Sequence, residues 1–417
     1  MDRKRVVVTG LGALTPIGSN VATYWQGLSQ GLSGAAPITR FDASQRKTRF
    51  ACELKGYREE NHFERKEARK MDPCSQYALV VCEEALRDSG LILENENSER
   101  IGVVWGTGIG GLQSLSESII DFEHSGDTPR MSPFFIPKMI ANMPAGHISI
   151  KYGLRGPNFA TVSACASASN ALIDAAQLIQ LDHADIILAG GSEATITDIG
   201  MSGFSAMKAL SERNEDPKTA SRPFDKDRDG FVMGEGAGVL VLESYEHAKA
   251  RGAKIYAELI GVGMSADAYH ITAPHPEGIG ATMVMANALR HARIRPEDVD
   301  YINVHGTSTL LGDVGEAKAI QQVFGAHAYR LNISATKSMT GHLLGASGAV
   351  ESIAAILAMQ HQVIPPTINH FTDDEALDPG MNFTFNKAQP RLVNIVLTNT
   401  FGFGGHNTSI VYKKWEA

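Results

Sequence analysis

What most limits the folds open to this chain is an alternation that runs its whole length. Short apolar runs of strand length trade places with helix-length amphipathic segments. "RVVVTG" reads as a strand and "VATYWQGLSQG" as a helix closing at Gly31. Residues 75–90 read as a helix, and "IGVVWGTG" as a buried strand. "NFATVSA" leads into a helix from about Ser167 to Leu181, and "ADIILAGG" and "GEGAGVLVLES" read as strands. A second series follows: strand "IYAELIGVG", helix Ala281–Ala292, strand "VDYINVHG", helix Val314–Phe324 and helix "GAVESIAAILAMQ". "NIVLTNTFGFGGHNTSIVYK" reads as two strands around a glycine-rich turn. Such alternation specifies the α/β class with largely parallel sheets.

The two series suggest halves meeting near residue 250, residues 1–250 and 251–417, although no residue-level repeat is visible. Segments 30–75 and 112–145 are less regular and read as insertions. No low-complexity linker divides the halves, so one compact body is expected. With 43% hydrophobic residues, 417 residues can bury a large core. A net charge of -8 argues against general nucleic-acid binding. No apolar run approaches the ~20 residues of a membrane span, so no membrane partner is expected. The opening "MDRKRVVVTGLG" passes from charges straight into a strand and reads as no cleavable signal. Cys52, Cys74, Cys82 and Cys165 are too scattered for a disulfide framework or zinc site, which suits a reducing cytoplasm.

Two motifs are better read as turns. "GTGIGG" (Gly106–Gly111) follows a strand in the dinucleotide pattern, but the acidic residue due about 20 residues on would fall in a loop-like stretch. "DKDRDGFVMGEG" opens like a calcium loop with Asp225, Asp227, Asp229 and Gly230, yet its twelfth position is Gly236, not glutamate.

Cys165 lies in "TVSACASASNAL" with only alanine and serine immediately beside it. Read blandly, it is a small core residue. Read functionally, its neighbours allow a sharp strand-to-helix turn, and a helix N-terminus favours thiolate. "NVHGTSTLLGD" sets His305 at the end of a strand, and "SATKSMTGHLLGASG" sets Lys337 and His342 before a helix. Together these suggest a Cys-His-His site without a metal. "FGFGGHN" (Phe401–Asn407), Gly402 included, reads either as a hairpin or as backbone approaching a substrate. "ERKEARKMD" carries Arg65, Lys66, Arg69 and Lys70 on one helical face, either a solvated surface or a dock for an acidic partner.

In this order, "SACAS", "HGTST", "K-x4-GH-x2-GASG" and "FGFGGHN" are specific together. The chain resembles, end to end, the decarboxylating β-ketoacyl-acyl-carrier-protein synthases of fatty-acid elongation. The resemblance implies a duplicated thiolase-like fold, layered αβαβα with two mixed, mostly parallel sheets, and a homodimer. It implies acyl carrier protein as partner and no cofactor beyond the phosphopantetheine on which substrates ride. Cys165 then takes the acyl chain. His305 and His342 serve malonyl decarboxylation, with Lys337 beside them. Phe401 is the gate, and its amide with that of Cys165 forms an oxyanion hole. Thr307 and Thr309 meet the pantetheine arm, and Ile109 and Phe204 line the acyl pocket. Residues 65–70, with Lys208 and Arg213, belong to the carrier dock.

The sequence departs from this pattern at Leu310, where proline is common, and at Ser167-Ala168-Ser169. Both leave room for a polyketide or polyene ketosynthase. A thiolase would need a second cysteine near the C-terminus, and none follows Cys165. A catalytically silent acyl-binding partner is the remaining alternative.

Overall fold

Ten of the apolar runs pair into one sheet. The computed structural model describes residues 3–126 and 131–416, so positions 127–130 of the second expected insertion lie outside the described residues. The first half supplies β1 Val6–Leu14, β2 Ile101–Gly106, β3 Asn158–Thr161, β4 Ile186–Glu193 and β5 Gly236–Ser244. The second supplies β6 Ala257–Ala266, β7 Tyr301–Asn303, β8 Asn332–Ser334, β9 Ile395–Gly402 and β10 His406–Lys414. Their order across the sheet is β8-β7-β9-β10-β6-β1-β5-β4-β2-β3. Outward from the β6–β1 seam the same sequence of strands appears twice: β1, β5, β4, β2, β3 and β6, β10, β9, β7, β8. In each run the inner two pairings are antiparallel and the outer two parallel.

The expected mixed pairing is present, but the strands form one continuous sheet rather than two, and it is not mostly parallel. The two runs join through Val7–Glu258 and Val8–Ala257, and that seam is also antiparallel. Antiparallel pairings thus outnumber parallel ones. The length and apolarity of a run carry no direction, whereas the tight β9–β10 turn permits only antiparallel pairing.

Side-chain alternation builds the layers. Val104 of β2, Ile187 and Ala189 of β4, and Val396 and Ile410 of the second half face one central core. That core holds helices α2 (Ser167–Gln180) and α5 (Ser347–His361). Val103, Trp105, Ile186 and Leu188, on the opposite face, pack with α1 (Pro73–Ser89). Ile302, Leu397 and Val411 pack with α3 (Ile279–Ala292) and α4 (Leu310–Phe324). The result is the expected αβαβα layering. Helix α5 is buried on nearly every side, as a helix without a polar stripe must be. Helix α1 starts where Asp72 caps the Cys74 N–H ahead of Pro73 and ends at Gly90, whose φ of 64° suits glycine. No helix among the described residues is long and apolar enough to cross a membrane.

Candidate active site

The turn between β3 and α2 is built around close approaches. Ala164 adopts a left-handed φ of 50°, a conformation held only where the surroundings fix it. This lifts Cys165 to the N-terminal end of α2. A Cβ on Gly106 would lie 2.4 Å from Ala168 N, and one on Gly348 2.0 Å from Ser169 Oγ. Strand β2 and helix α5 therefore press against the start of α2, which only small residues allow. Gly402 is constrained in the same way: its Cβ would lie 2.8 Å from the Ser163 carbonyl and 3.2 Å from Cys165 N.

His342 places Nε2 3.1 Å from Cys165 Sγ. The Leu344 N–H donates to His342 Nδ1 (3.2 Å), and Ser347 Oγ lies 2.9 Å from the same atom. Nδ1 is thereby an acceptor, so the proton sits on Nε2 and faces the sulfur. The His305 ring stands edge-on to His342 with centroids 5.4 Å apart, and its Nδ1 has no partner among the described residues. Lys337 is buried and ion-paired with buried Glu351. An unpaired ammonium there would cost several kcal/mol, so the pair is a condition for keeping the charge.

These charges and the burial set the protonation states. Burial, then the charge of Lys337, hold His342 well below the usual histidine range. His305 is lowered the same way, with His342 adding a little. Both imidazoles are neutral at pH 7. Burial pushes the Cys165 thiol up to about 12, against Lys337 and the N–H groups of Phe403 and Cys165. The thiolate expected from a helix N-terminus is thus outweighed at rest by desolvation.

Cys165, His305 and His342 line one cavity of about 420 Å3, which also meets Thr307, Thr309, Phe204, Lys208, Phe401 and Gly402. The Thr307 and Thr309 hydroxyls lie 3.1 Å apart. Ile109 does not line this cavity and is 40% exposed. Its loop is turned outward because Gly108 and Ile109 N–H both donate to Glu193. Arg65, Lys66, Arg69 and Lys70 are exposed and also outside the cavity. The helix expected there stops at Ala68, because the chain must turn to Asp72 to cap α1. Exposed Lys208 sits at the cavity wall, while Arg213 donates to the Asp227 carbonyl.

The amide expected beside the thiol is that of Phe401. Among the second-half amides, it is the Phe403 N–H that acts on the Cys165 thiol, opposing the rise that burial causes. Phe401 lies in the β9 ladder opposite Asn407, its ring 5.6 Å from His305. The signal was present: Phe403 directly precedes Gly404 and Gly405, whose φ values of 83° and 75° make the bend.

Two buried acids escaped the sequence reading because nothing local marks them. Glu316 accepts from His305 and Gly306 N–H, each at 2.9 Å, and so fixes the backbone of the histidine loop. Glu193 accepts from Gly108 N–H (2.7 Å), Ile109 N–H (3.3 Å), Thr107 Oγ1 (3.1 Å) and Gly345 N–H (2.9 Å). It ties the "GTGIGG" loop to the loop after His342. Burial pushes Glu193 up to about 7. A carboxyl raised in the folded state stabilises fully below its unfolded pKa and loses that contribution as pH rises through 7. We expect the stability advantage of the unchanged chain over Glu193→Gln to shrink by on the order of 2 kcal/mol between pH 5 and 8. Urea unfolding at both pH values measures this, and a constant gap contradicts it.

A thiol, two neutral imidazoles and backbone donors at the foot of one cavity, on a thiolase-like fold, describe a ketosynthase site. The chain belongs to the β-ketoacyl synthase family, whose N-terminal domain model matches residues 3–248 and C-terminal domain model residues 256–371. A 3-oxoacyl-[acyl-carrier-protein] synthase 2 of Synechocystis sp. is 50% identical over 100% of this chain and 99% of its own length. A protein of the same description from Coxiella burnetii is 48% identical over 99% of both chains. A solved type II polyketide ketosynthase, in complex with its acyl-carrier protein and bound to the hexaketide, superposes with a TM-score of 0.87. It is 32% identical, covering 99% of this chain and 100% of its own.

Proposed function

We propose that this chain condenses an acyl group with malonyl, both as thioesters on the phosphopantetheine of acyl carrier protein, in fatty-acid elongation. The observation that carries the reading is the donor-bearing Nε2 of His342 beside the Cys165 sulfur, with neutral His305 across the same cavity. Cys165 attacks the acyl thioester carbonyl and expels the carrier thiolate, which leaves with the thiol proton. The new thioester is isoenergetic with the old one. Backbone N–H groups of Cys165 and Phe403 hold the tetrahedral oxyanion. Malonyl then loses CO2. The electron pair of the breaking C–C bond becomes an enolate, whose oxygen takes hydrogen bonds from the two imidazoles. The enolate carbon attacks the acyl-cysteine, the C–S bond breaks, and the sulfur regains a proton from solvent. The balance is acyl-carrier, malonyl-carrier and one proton giving 3-oxoacyl-carrier, CO2 and free carrier.

The high identity to elongation synthases favours this over the polyketide reading, and Cys165 with both histidines disfavours a silent partner. The repeated strand order supports residues 1–250 as the half bearing the nucleophile and 251–417 as the half bearing the histidines. A homodimer is supported by the unpaired edge of β3. Phe159 and Val162 stand exposed along it, and the chain also exposes Ile109, Ile119, Ile120, Phe122 and Ile136. Exposed Arg65, Lys66, Arg69, Lys70 and Lys208 supply charge for the carrier.

The test is to incubate the protein with acyl-carrier and weigh it, then add malonyl-carrier. Acyl mass on Cys165, discharged as a 3-oxoacyl product two carbons longer, is the expected result. Absence of the adduct with a functional carrier refutes the reading.

A further inference from the structure

The aspartate-rich turn that resembles a calcium loop has another use in this structure. It grips the loop carrying Thr307 and Thr309. The Arg222 N–H donates to Ser308 Oγ (3.0 Å), and the Gly230 N–H to the Ser308 carbonyl (3.1 Å). Ser308 itself is left-handed, with φ 66°, so its geometry depends on such outside support. Arg228, whose side chain is 1% exposed, directs its donors into the same region. Nε donates to the Thr309 carbonyl (3.1 Å) and Nη2 to the Leu310 carbonyl (3.0 Å). Nη1 donates to the Asp225 carbonyl and the Asp374 carboxylate, each at 2.6 Å. Buried Asp313, in the first turn of α4, lies 3.5 Å from Nε and accepts from the Phe224 N–H.

We infer that Arg228 is a positioning residue for the amide-bearing arm of the substrates, acting through Thr307 and Thr309. This rests on the reading that the substrates are carrier-borne. A planar guanidinium fork can hold two successive carbonyls at once, which an ammonium cannot. With the carbonyls of residues 309 and 310 fixed, the peptide between them cannot rotate. The two hydroxyls then stay 3.1 Å apart on the cavity wall, spaced to meet an amide of the arm. Arg228 does not line the cavity, whereas its neighbours Asp229 and Gly230 do. Its effect on substrate is therefore indirect. The positioning matters only to a substrate that presents an amide, and a thioester of a plain alkanethiol presents none.

The experiment uses the full chain, Arg228→Lys and Asp374→Asn. The second change loosens the outer anchor of Arg228 without altering the threonine loop. KM and kcat are measured with acyl- and malonyl-carrier, and again with the corresponding ethyl thioesters, with thermal melting recorded alongside. Arg228→Lys is expected to raise KM for carrier-borne substrates about tenfold while kcat stays within about threefold. Its kcat/KM for ethyl thioesters is expected to stay within about twofold of the unchanged chain. Asp374→Asn is expected to move the same way by less, and it decides the matter if Arg228→Lys does not fold. Equal losses on both substrate types, or an unchanged KM for carrier-borne substrate in a folded variant, overturn the inference alone. If the unchanged chain condenses no carrier-borne thioester, the proposed function falls first and this inference with it.

Discussion

Cys165→Ala is expected to abolish the acyl-enzyme and to lower condensation by roughly a thousandfold or more, while CO2 release from malonyl continues. The separation follows from the geometry. His342 and Lys337 keep their positions and neutral-or-paired states without the thiol, because their anchors are Leu344 N–H, Ser347 and Glu351, and the His305 backbone is held by Glu316. Alanine removes one sulfur atom from a cavity-lining position, so the fold loses little. The other three cysteines cannot substitute. Cys52, Cys74 and Cys82 are all buried, none lines the cavity, and each thiol is raised by desolvation. Acidity does not single out Cys165, since burial pushes both Cys52 and Cys165 up to about 12. What distinguishes Cys165 is the arrangement around its sulfur: the His342 Nε2 3.1 Å away and a place on the cavity wall. Mass spectrometry after incubation with acyl-carrier checks the first part, and release of labelled CO2 from malonyl-carrier the second. An acyl adduct persisting in Cys165→Ala would move the nucleophile elsewhere.

The parts of this site that the sequence made legible are those that repeat a local rule. Strand and helix periods placed β4, α2 and α5 within a residue or two, because apolar spacing is a property of each segment alone. The small residues around Cys165 announced close packing before any partner was known. Strand direction was not legible, since a run of valines reads the same either way along a sheet. Nor was Glu193, whose four donors come from residues 107–109 and 345; only the folded chain brings them to one carboxylate. The choice between Phe401 and Phe403 as the amide nearest the thiol has a similar origin. The motif "FGFGG" offers two phenylalanines, and only the bend at Gly404 and Gly405 decides which amide turns toward the thiol.

His342→Ala and His305→Ala are each expected to slow malonyl decarboxylation by about 10²–10³, as removal of one donor to a developing oxyanion does. Acylation of Cys165 should stay within about tenfold of the unchanged chain, because its oxyanion is held by backbone N–H groups. The double variant should cost much less than the product of the two, since both donors serve one oxygen. His342→Gln separates donor from base. A glutamine amide can still present an N–H toward the sulfur side but cannot shuttle a proton at neutral pH, so it should retain more activity than alanine. The pH dependence carries the same argument. Both imidazoles lie well below the usual histidine range, so they stay neutral as pH falls from 8 to 6. A rate limited by decarboxylation should therefore be flat over that window. Protonation at lower pH would put a hydrogen on His342 Nδ1, facing the Leu344 N–H that now donates to it. The rate should fall only there. A steep rise in decarboxylation between pH 6 and 7 would mean that an imidazole titrates in the working range, and that its role is proton transfer rather than a fixed hydrogen bond.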